Sequence, residues 1–293
     1  MNRRPLKYTF LAPSKEYELL DCGRGRKLER FGKVILDRPE VEAQGQAALP
    51  PSKWRSAHWQ FEQHKGQTGR WNKVQGGPED WHIHYQIAAH KLRFKLQLTS
   101  FKHLGIFPEQ AENWRYIQKQ LKRINGEKKV LNLFAYTGAA SIVAAACGAR
   151  VTNVDSVKQI LNWAKNNAEQ NRIESIRWIL EDARSFVAKA VRRGEQYHGI
   201  IMDPPAFGHG TKNKNWKIER DLHQLLEDSM KLLHKDKHFF ILNSYSPKMS
   251  ADNLHDLVRS VPQFPKKFEL STLAIKTNHS QVLPFGNLLR FSQ

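Results

Sequence analysis

The sequence predicts an α/β protein whose main part is a doubly wound, mostly parallel, seven-stranded sheet, preceded by a smaller β-rich region. From about Glu127 onward, apolar strand patterns alternate with helical patterns. Such alternation builds a parallel sheet covered by helices on both faces. The first hundred residues show strands and glycine turns without a helical period. We therefore expect a β-rich domain over residues 1–100 and a sheet domain over residues 101–293.

The elements of the sheet domain follow one another at regular spacing. Strands are predicted at 128–134, 150–155, 176–182, 199–203 and 237–244, with two closing strands at 268–275 and 288–291. Helices are predicted at 138–149, 157–171, 183–193, 219–233 and near 251–260. The second of these helices carries apolar residues at helical spacing, Val157, Ile160, Leu161 and Ala164, which indicates one face packed on the sheet.

The net charge of the chain indicates a polyanionic partner. Lys and Arg number 47 against 28 Asp and Glu, which gives a net charge of +19. Nucleic acid is the commonest partner of so basic a protein, and a charge that serves only solubility is the alternative. The sequence shows no apolar run long enough for a membrane span and no secretory signal. Its two cysteines form no disulfide framework, so we expect a cytoplasmic protein.

The turn after the first strand of the sheet domain, NLFAYTGAAS (132–141), indicates a cofactor without phosphates. A dinucleotide-binding turn needs three glycines, and this turn has one, Gly138. S-adenosylmethionine is the usual cofactor of this kind on such sheets. The next two strands end at Asp155, which can accept hydrogen bonds from ribose hydroxyls, and at Asp182, which can face the adenine amine. Each acid has helix capping as its structural alternative.

The stretch GIIMDPPAFGHG (199–210) predicts the reacting end of the site. Proline has no N–H to donate, so the strand must stop at Asp203. In open α/β sheets, ligands bind in the crevice outside the carboxyl ends of the strands. We therefore expect Asp203 and Phe207 to face a ligand there, with a capping acid and a loop-packing phenylalanine as the alternatives.

These motifs together resemble the class I S-adenosylmethionine-dependent methyltransferases, specifically the ribosomal RNA large-subunit methyltransferases. The matching stretches are GRKLERFG (25–32), FKHLGIFPEQAENW (101–114), VLNLFAYTGAASIVAAACGA (130–149), NVDSVKQILNWAKNN (153–167) and MDPPAFGHG (202–210). The resemblance implies a Rossmann-like fold and a cofactor pocket that includes Asp203 and is further lined by Phe134, Tyr136, Gly138, Asp155 and Asp182. It also implies that HLGIFPEQ closes over the methionine end, where Phe107 and Gln110 contact the cofactor; ordinary packing is the alternative for Phe107.

The acceptor is predicted to be a nitrogen of an RNA base. Methylation of pyrimidine carbon-5 needs a cysteine thiolate, but Cys22 and Cys147 lie far along the chain from the ends of the fourth and fifth strands. Asp203 and the Pro204 carbonyl can hold a base amine while Phe207 stacks on the ring. A ring nitrogen needs no deprotonation, so exocyclic and ring nitrogens both stay open.

The loop 208–220 is a candidate RNA contact because it combines basic residues with a tryptophan. These residues are Lys212, Lys214, Trp216, Lys217 and Arg220; a solvated surface loop is the alternative. Residues 53–81, with four tryptophans among basic residues, offer a second contact surface or an ordinary β core. The histidines show no metal-ligand spacing, so no metal is predicted. The sequence leaves the oligomeric state open.

Two other functions compete with an RNA methyltransferase. One is a nucleic-acid-binding protein on an inactive methyltransferase scaffold, which the intact Gly138, Asp155 and Asp182 series disfavours. The other is a methyltransferase for a small molecule or protein, which leaves the charge of +19 unexplained.

Overall fold

The computed structural model describes residues 7–64, 68–209 and 215–293. Its strands are β1 (Tyr8–Phe10), β2 (Tyr17–Gly23), β3 (Arg26–Phe31), β4 (Val34–Pro39), β5 (Trp59–Gln63), β6 (Gly69–Lys73), β7 (Asp80–Ile87), β8 (His90–Gln97), β9 (Lys129–Leu133), β10 (Arg150–Asp155), β11 (Ile176–Leu180), β12 (Gly199–Met202), β13 (Phe207–His209), β14 (Asn215–Lys217), β15 (Phe239–Ser244), β16 (Glu269–Lys276) and β17 (Val282–Ser292). Its helices are α1 (Pro51–Trp54), α2 (Ala111–Leu121), α3 (Ala139–Ala146), α4 (Lys158–Gln170), α5 (Ala183–Arg192), α6 (Ile218–Lys231) and α7 (Ala251–Ser260), with a short 3-10 helix at Pro108–Gln110.

The larger sheet confirms the predicted α/β fold. Among the described residues it has eight strands, one more than the predicted seven, in the order β1-β16-β17-β15-β12-β9-β10-β11. β9 pairs in parallel with β10 on one side and β12 on the other, while β17 runs antiparallel to β15 and β16. The chain therefore reverses its direction of winding at β9. Ligands bind at such a switch point, outside the carboxyl ends of the strands.

Two hydrophobic cores cover the two faces of this sheet. One joins the apolar faces of α5, α6 and α7 to β9, β12 and β15. The other packs α2 and α3 on the opposite face and continues into the β-rich region through residues such as Leu36, Ile83 and Phe94. The β-rich region is thus packed on the sheet domain through a shared core.

The β-rich region contains a sheet in the order β2-β3-β4-β5-β6 and a hairpin of β7 and β8. Its first strand, β1, departs from the predicted domain division because it pairs in parallel with β16 of the larger sheet. The domain boundary near residue 100 stays a prediction. No helix in the described ranges is long and apolar enough to span a bilayer.

The β-rich region also buries an ion pair. The Arg38 guanidinium donates to Glu29 Oε2 from Nε at 2.9 Å and from Nη2 at 2.7 Å. Tyr17 donates to the other carboxylate oxygen at 2.9 Å. Burial alone would raise the pKa of Glu29, but Arg38 and Lys27 outweigh it and hold that pKa below its ordinary value. The remaining Arg38 nitrogen, Nη1, donates to the Lys102 carbonyl at 2.6 Å, which fixes the chain that leads into the sheet domain.

The four tryptophans of residues 53–81 are buried or half-buried and donate their indole N–H groups within the β-rich region. Trp54 donates to Asp21, Trp59 to the Pro78 carbonyl, Trp71 to the Thr99 carbonyl and Trp81 to the Phe31 carbonyl, at 2.9 to 3.2 Å. Buried indoles usually find such partners. The geometry therefore favours the β-core interpretation of this segment over the RNA-contact interpretation.

Candidate active site

The turn between β9 and α3 is built around Gly138. Its φ of +79° lies in the left-handed region, which is unfavourable for every residue that has a Cβ. A Cβ at this position would lie 2.9 Å from Ala164 Cβ on α4, so the close approach of two helices also requires glycine. Phe134 and Tyr136 have φ values of +54° and +50°, which is uncommon outside glycine and typical of strained functional loops.

Asp155 holds this turn from the end of the neighbouring strand β10. Its carboxylate accepts hydrogen bonds from the backbone N–H of Tyr136 at 3.0 Å and of Val157 at 2.9 Å. Burial raises the pKa of Asp155, although these N–H groups act in the opposite direction. A carboxylate has about four acceptor positions, so Asp155 can hold the loop and still accept bonds from a ligand. The Val157 side chain, 45% exposed, adds apolar surface beside it.

Asp182 forms the N-cap of α5. Its carboxylate accepts a hydrogen bond from Ser185 N at 3.1 Å and forms an ion pair with Arg184 at 3.1 Å. Arg184 also pairs with Asp221 at 3.0 Å. The side chain is buried, so the capping interpretation holds for this residue. Its predicted contact with adenine stays a prediction.

Asp203 differs from the other two acids because nothing in the described part of the chain pairs with it. Its half-buried carboxylate accepts no hydrogen bond and forms no ion pair with a described residue, and the adjacent Pro204 carbonyl is likewise without a described donor. Burial, together with the nearby negative charge of Glu109, raises the pKa of Asp203 to about 7. Phe207, at 49% exposed, stands on the same loop. Two neighbouring acceptors at the end of β12 are therefore without a described donor.

A polar network that the sequence did not predict lies beside Asp203. Tyr245 OH donates to Glu109 Oε1 at 3.1 Å and accepts from Gln110 Nε2 at 2.8 Å. Asn113 Nδ2 donates to Gln110 Oε1 at 2.7 Å, so the Gln110 amide is held from both ends. Glu109 stands in FPEQ and Tyr245 follows the strand β15, and nothing in either stretch of sequence shows that residues 136 positions apart meet.

The predicted residues Phe107 and Tyr136 belong to one aromatic cluster with Tyr245. The Phe107 ring centroid lies 5.4 Å from that of Tyr136 and 6.0 Å from that of Tyr245. These distances are within the range of favourable aromatic pairs. The structure thus brings the segment HLGIFPEQ, the glycine turn and the end of β15 together.

The polar groups of this crevice suit a cationic ligand. Glu109 is buried, and burial raises its pKa. Asn113 Oδ1 and Ser244 Oγ are buried oxygens without a hydrogen-bond partner among the described residues. Glu109 and these two oxygens thus offer acceptor atoms that a cation could use. The predicted cofactor carries a sulfonium and an ammonium group, so these residues fit it.

The residues predicted to contact RNA in loop 208–220 have different positions. Lys212 and Lys214 lie outside the described residues. Trp216 is 3% exposed, its indole donates to the Pro205 carbonyl at 2.6 Å, and its ring packs 4.9 Å from Phe134. A predicted role in stacking on RNA does not fit this buried position.

Lys217 and Arg220 are exposed, as the RNA-contact prediction requires. Arg220 pairs with Asp221 at 2.8 Å, which neutralises much of its charge. Lys217 is therefore the stronger candidate of the two for a phosphate contact. Cys22 and Cys147 have pKa values raised by burial, so neither thiol is activated as a nucleophile.

Comparisons with known proteins identify the family of this chain. Residues 47–235 match the family model of the S-adenosylmethionine-dependent methyltransferases. The crystal structure of a SAM-dependent methyltransferase from Agrobacterium tumefaciens is 32% identical, covers 99% of this chain and 94% of its own, and superimposes with a TM-score of 0.90.

Curated relatives are similar over part of their length. Ribosomal RNA large subunit methyltransferase K/L of Pseudoalteromonas atlantica is 32% identical over 62% of this chain and 26% of its own. Ribosomal RNA large subunit methyltransferase K of Neisseria meningitidis serogroup B is 30% identical over 55% of this chain and 45% of its own. The chain thus spans about a quarter of the first relative and under half of the second.

Proposed function

The chain belongs to the S-adenosylmethionine-dependent methyltransferase family, and we propose that it methylates a base of ribosomal RNA. The observation that carries the proposal is the pair of open acceptors at Asp203 and Pro204, beside the exposed ring of Phe207. The net charge of +19 and the curated relatives named for ribosomal RNA support RNA as the substrate. We place the reaction in the cytoplasm, where this substrate occurs.

The cofactor would lie across the carboxyl ends of β9, β10 and β12. When bound, it supplies a methyl group on a sulfonium centre. Gly138 would let the turn approach it closely, and Asp155 would accept bonds from its ribose hydroxyls. Phe134 and Tyr136 would line the turn side, with Asp182 at the adenine edge. Phe107 and Gln110 would contact the methionine end, with Glu109 facing the ammonium group.

The acceptor base would be held by its N–H groups. The Asp203 carboxylate and the Pro204 carbonyl are adjacent acceptors, so they match a base edge that presents two N–H donors. Phe207 would stack on the base, as aromatic side chains do on unstacked bases. If the accepting nitrogen carries a proton, the Asp203 carboxylate is placed to receive it; a ring nitrogen would need only the positioning.

The test is methyl transfer to ribosomal RNA from a strain that lacks this gene, followed by mass spectrometry of the nucleosides. One methylated base should appear with wild-type protein. Asp203→Ala should abolish transfer and leave the cofactor affinity, measured by isothermal titration, mostly unchanged. Asp252→Ala, an exposed acid on α7, is the matched control and should transfer normally.

Two results would contradict the proposal. One is the absence of cofactor binding at millimolar concentration. The other is full activity of the Asp203→Ala variant, which would mean that the acceptor lies elsewhere.

A further inference from the structure

An exposed aromatic ring stands outside the site described above. Four aromatic side chains in the described part of the chain are strongly exposed, namely Phe10 (43%), Phe101 (46%), Phe207 (49%) and Tyr245 (36%). Two of them, Phe207 and Tyr245, already belong to the candidate active site. Phe101 lies on the connection between the β-rich region and the sheet domain, and no described aromatic ring packs on it.

The loop that carries Phe101, Thr99–His103, is held firmly. The Thr99 hydroxyl accepts from Phe101 N at 3.1 Å and lies 2.8 and 2.9 Å from the carbonyls of Phe101 and His103. Trp71 fixes the Thr99 carbonyl at 2.9 Å. The Phe101 ring is therefore exposed on a braced backbone. A partner that covered this ring would gain the free energy of burying its apolar surface.

The next residue supplies a positive charge. Lys102 Nζ has a single long hydrogen bond, 3.5 Å to the Pro39 carbonyl. Burial, with Lys27 and Arg38 nearby, lowers the pKa of Lys102 although Glu40 opposes them. Lys27 is already paired with Glu40 at 3.1 Å, and Arg38 is paired within the buried network of the β-rich region. Lys27, Arg38 and Lys102 thus bring three positive charges against the two negative charges of Glu29 and Glu40, so an anion would stabilise the Lys102 ammonium group.

The loop is continuous with the candidate active site. The His103 ring centroid lies 5.2 Å from that of Phe107, and Phe107 contacts Tyr245. Burial, with Arg38 and Lys102 adding to it, lowers the pKa of His103 to about 4. The ring is therefore neutral at physiological pH, and its packing on Phe107 connects the Thr99–His103 loop to the candidate active site. An exposed aromatic ring and a cation on the same loop are the combination that binds single-stranded nucleic acid.

We propose that the Thr99–His103 loop binds a single-stranded segment of the RNA substrate next to the target nucleotide, with Phe101 stacked on an unpaired base and Lys102 contacting a phosphate. This inference rests on the proposed RNA methyltransferase function. Phe101 would then be the aromatic contact to RNA outside the reacting centre, in place of Trp216 and the four tryptophans of residues 53–81. It also implies that the enzyme prefers a target with an unpaired neighbour over one inside a continuous duplex.

The test measures the affinity of the protein for a fluorescein-labelled, mixed-sequence, single-stranded oligoribonucleotide of about 15 nucleotides. Binding is measured by fluorescence anisotropy in the absence of cofactor. Phe101→Ala should weaken binding by about 5- to 150-fold, the range expected for loss of one base stack. Lys102→Gln should reduce the slope of log K against log salt by about 0.7, because one phosphate contact is lost. Phe10→Ala and Lys266→Gln are the controls of matched type and should bind like wild type.

The outcomes separate this inference from the proposed function. If wild type methylates RNA but Phe101→Ala binds the oligonucleotide as wild type does, the loop is not a contact and the inference is wrong. Equal competition by a blunt duplex of the same length would also overturn it, since a paired base cannot stack on Phe101. If wild type neither binds nor methylates any RNA, the proposed function itself fails. Unchanged cofactor affinity and thermal unfolding of Phe101→Ala would show that the variant is folded.

Discussion

Replacing Asp203 by Asn should stabilise the cofactor-free protein, and increasingly so as the pH rises. Folding raises the pKa of this carboxyl from an ordinary value near 3.8 to about 7. Below pH 3.8 the group is protonated in both the folded and the unfolded state, so it does not change the free energy of unfolding. Above pH 3.8 the unfolded chain loses the proton first, so the free energy of unfolding falls until the folded state also ionises, near pH 7.

The size of the effect follows from the shift. About three pKa units correspond to about 4 kcal/mol at pH 8, and the penalty at pH 5 is about 2 kcal/mol. Asn keeps the shape of the side chain and removes the charge. The variant should therefore gain about 2 kcal/mol more stability at pH 8 than at pH 5.

Urea unfolding of both proteins at pH 5 and pH 8 measures this difference. Glu42→Gln, at an exposed acid, is the control and should change stability equally at the two pH values. If Asp203→Asn changes the free energy of unfolding by the same amount at both pH values, the carboxyl is not held in an environment that disfavours its charge. The reasoning about the acceptor site would then be refuted.

Three further predictions follow from the same crevice and its support. Gly138→Ala should lower the free energy of unfolding by at least about 1–2 kcal/mol, because φ is unfavourable for Ala, and isothermal titration should show weaker cofactor binding. Glu109→Gln removes a negative charge near Asp203, so the pH profile of methyl transfer should move to lower pH. Arg38→Met should lower the free energy of unfolding by about 3–5 kcal/mol, since it leaves Glu29 buried and unpaired; adding Glu29→Gln should recover most of the loss in urea unfolding.

The sheet could be predicted because its signal is local and repeated. The predicted strand at 150–155 coincides with β10, and the helix near 251–260 coincides with α7. Each helix or strand shows its hydrophobic period within a short stretch of sequence. The acids that come directly after a strand pattern are therefore predicted to lie at the end of that strand. The strand β1 was missed because three residues, YTF, carry no period, and only pairing with β16 makes them a strand.

The details of the site depend on contacts between distant residues, which a sequence pattern does not contain. Trp216 stands in a basic, glycine-containing loop, so its composition indicated a surface residue. Its indole N–H donates to the Pro205 carbonyl and its ring packs on Phe134, so the side chain is buried. The Tyr245–Glu109 bond likewise joins separate segments. Asp182 could be read as a helix cap or a ligand contact from the sequence, and its bond to Ser185 N supplies the first role.

The pairing of β1 with β16 has a consequence for how this chain can be divided. Residues 8–10 near one end of the chain complete the edge of a sheet whose other strands come from residues 129–292. A truncated protein that starts near residue 100 would leave β16 with an unsatisfied row of backbone groups and would uncover the apolar surface shared with the β-rich region. Such a fragment would be prone to aggregate, so we expect the sheet domain to be unstable when it is expressed by itself.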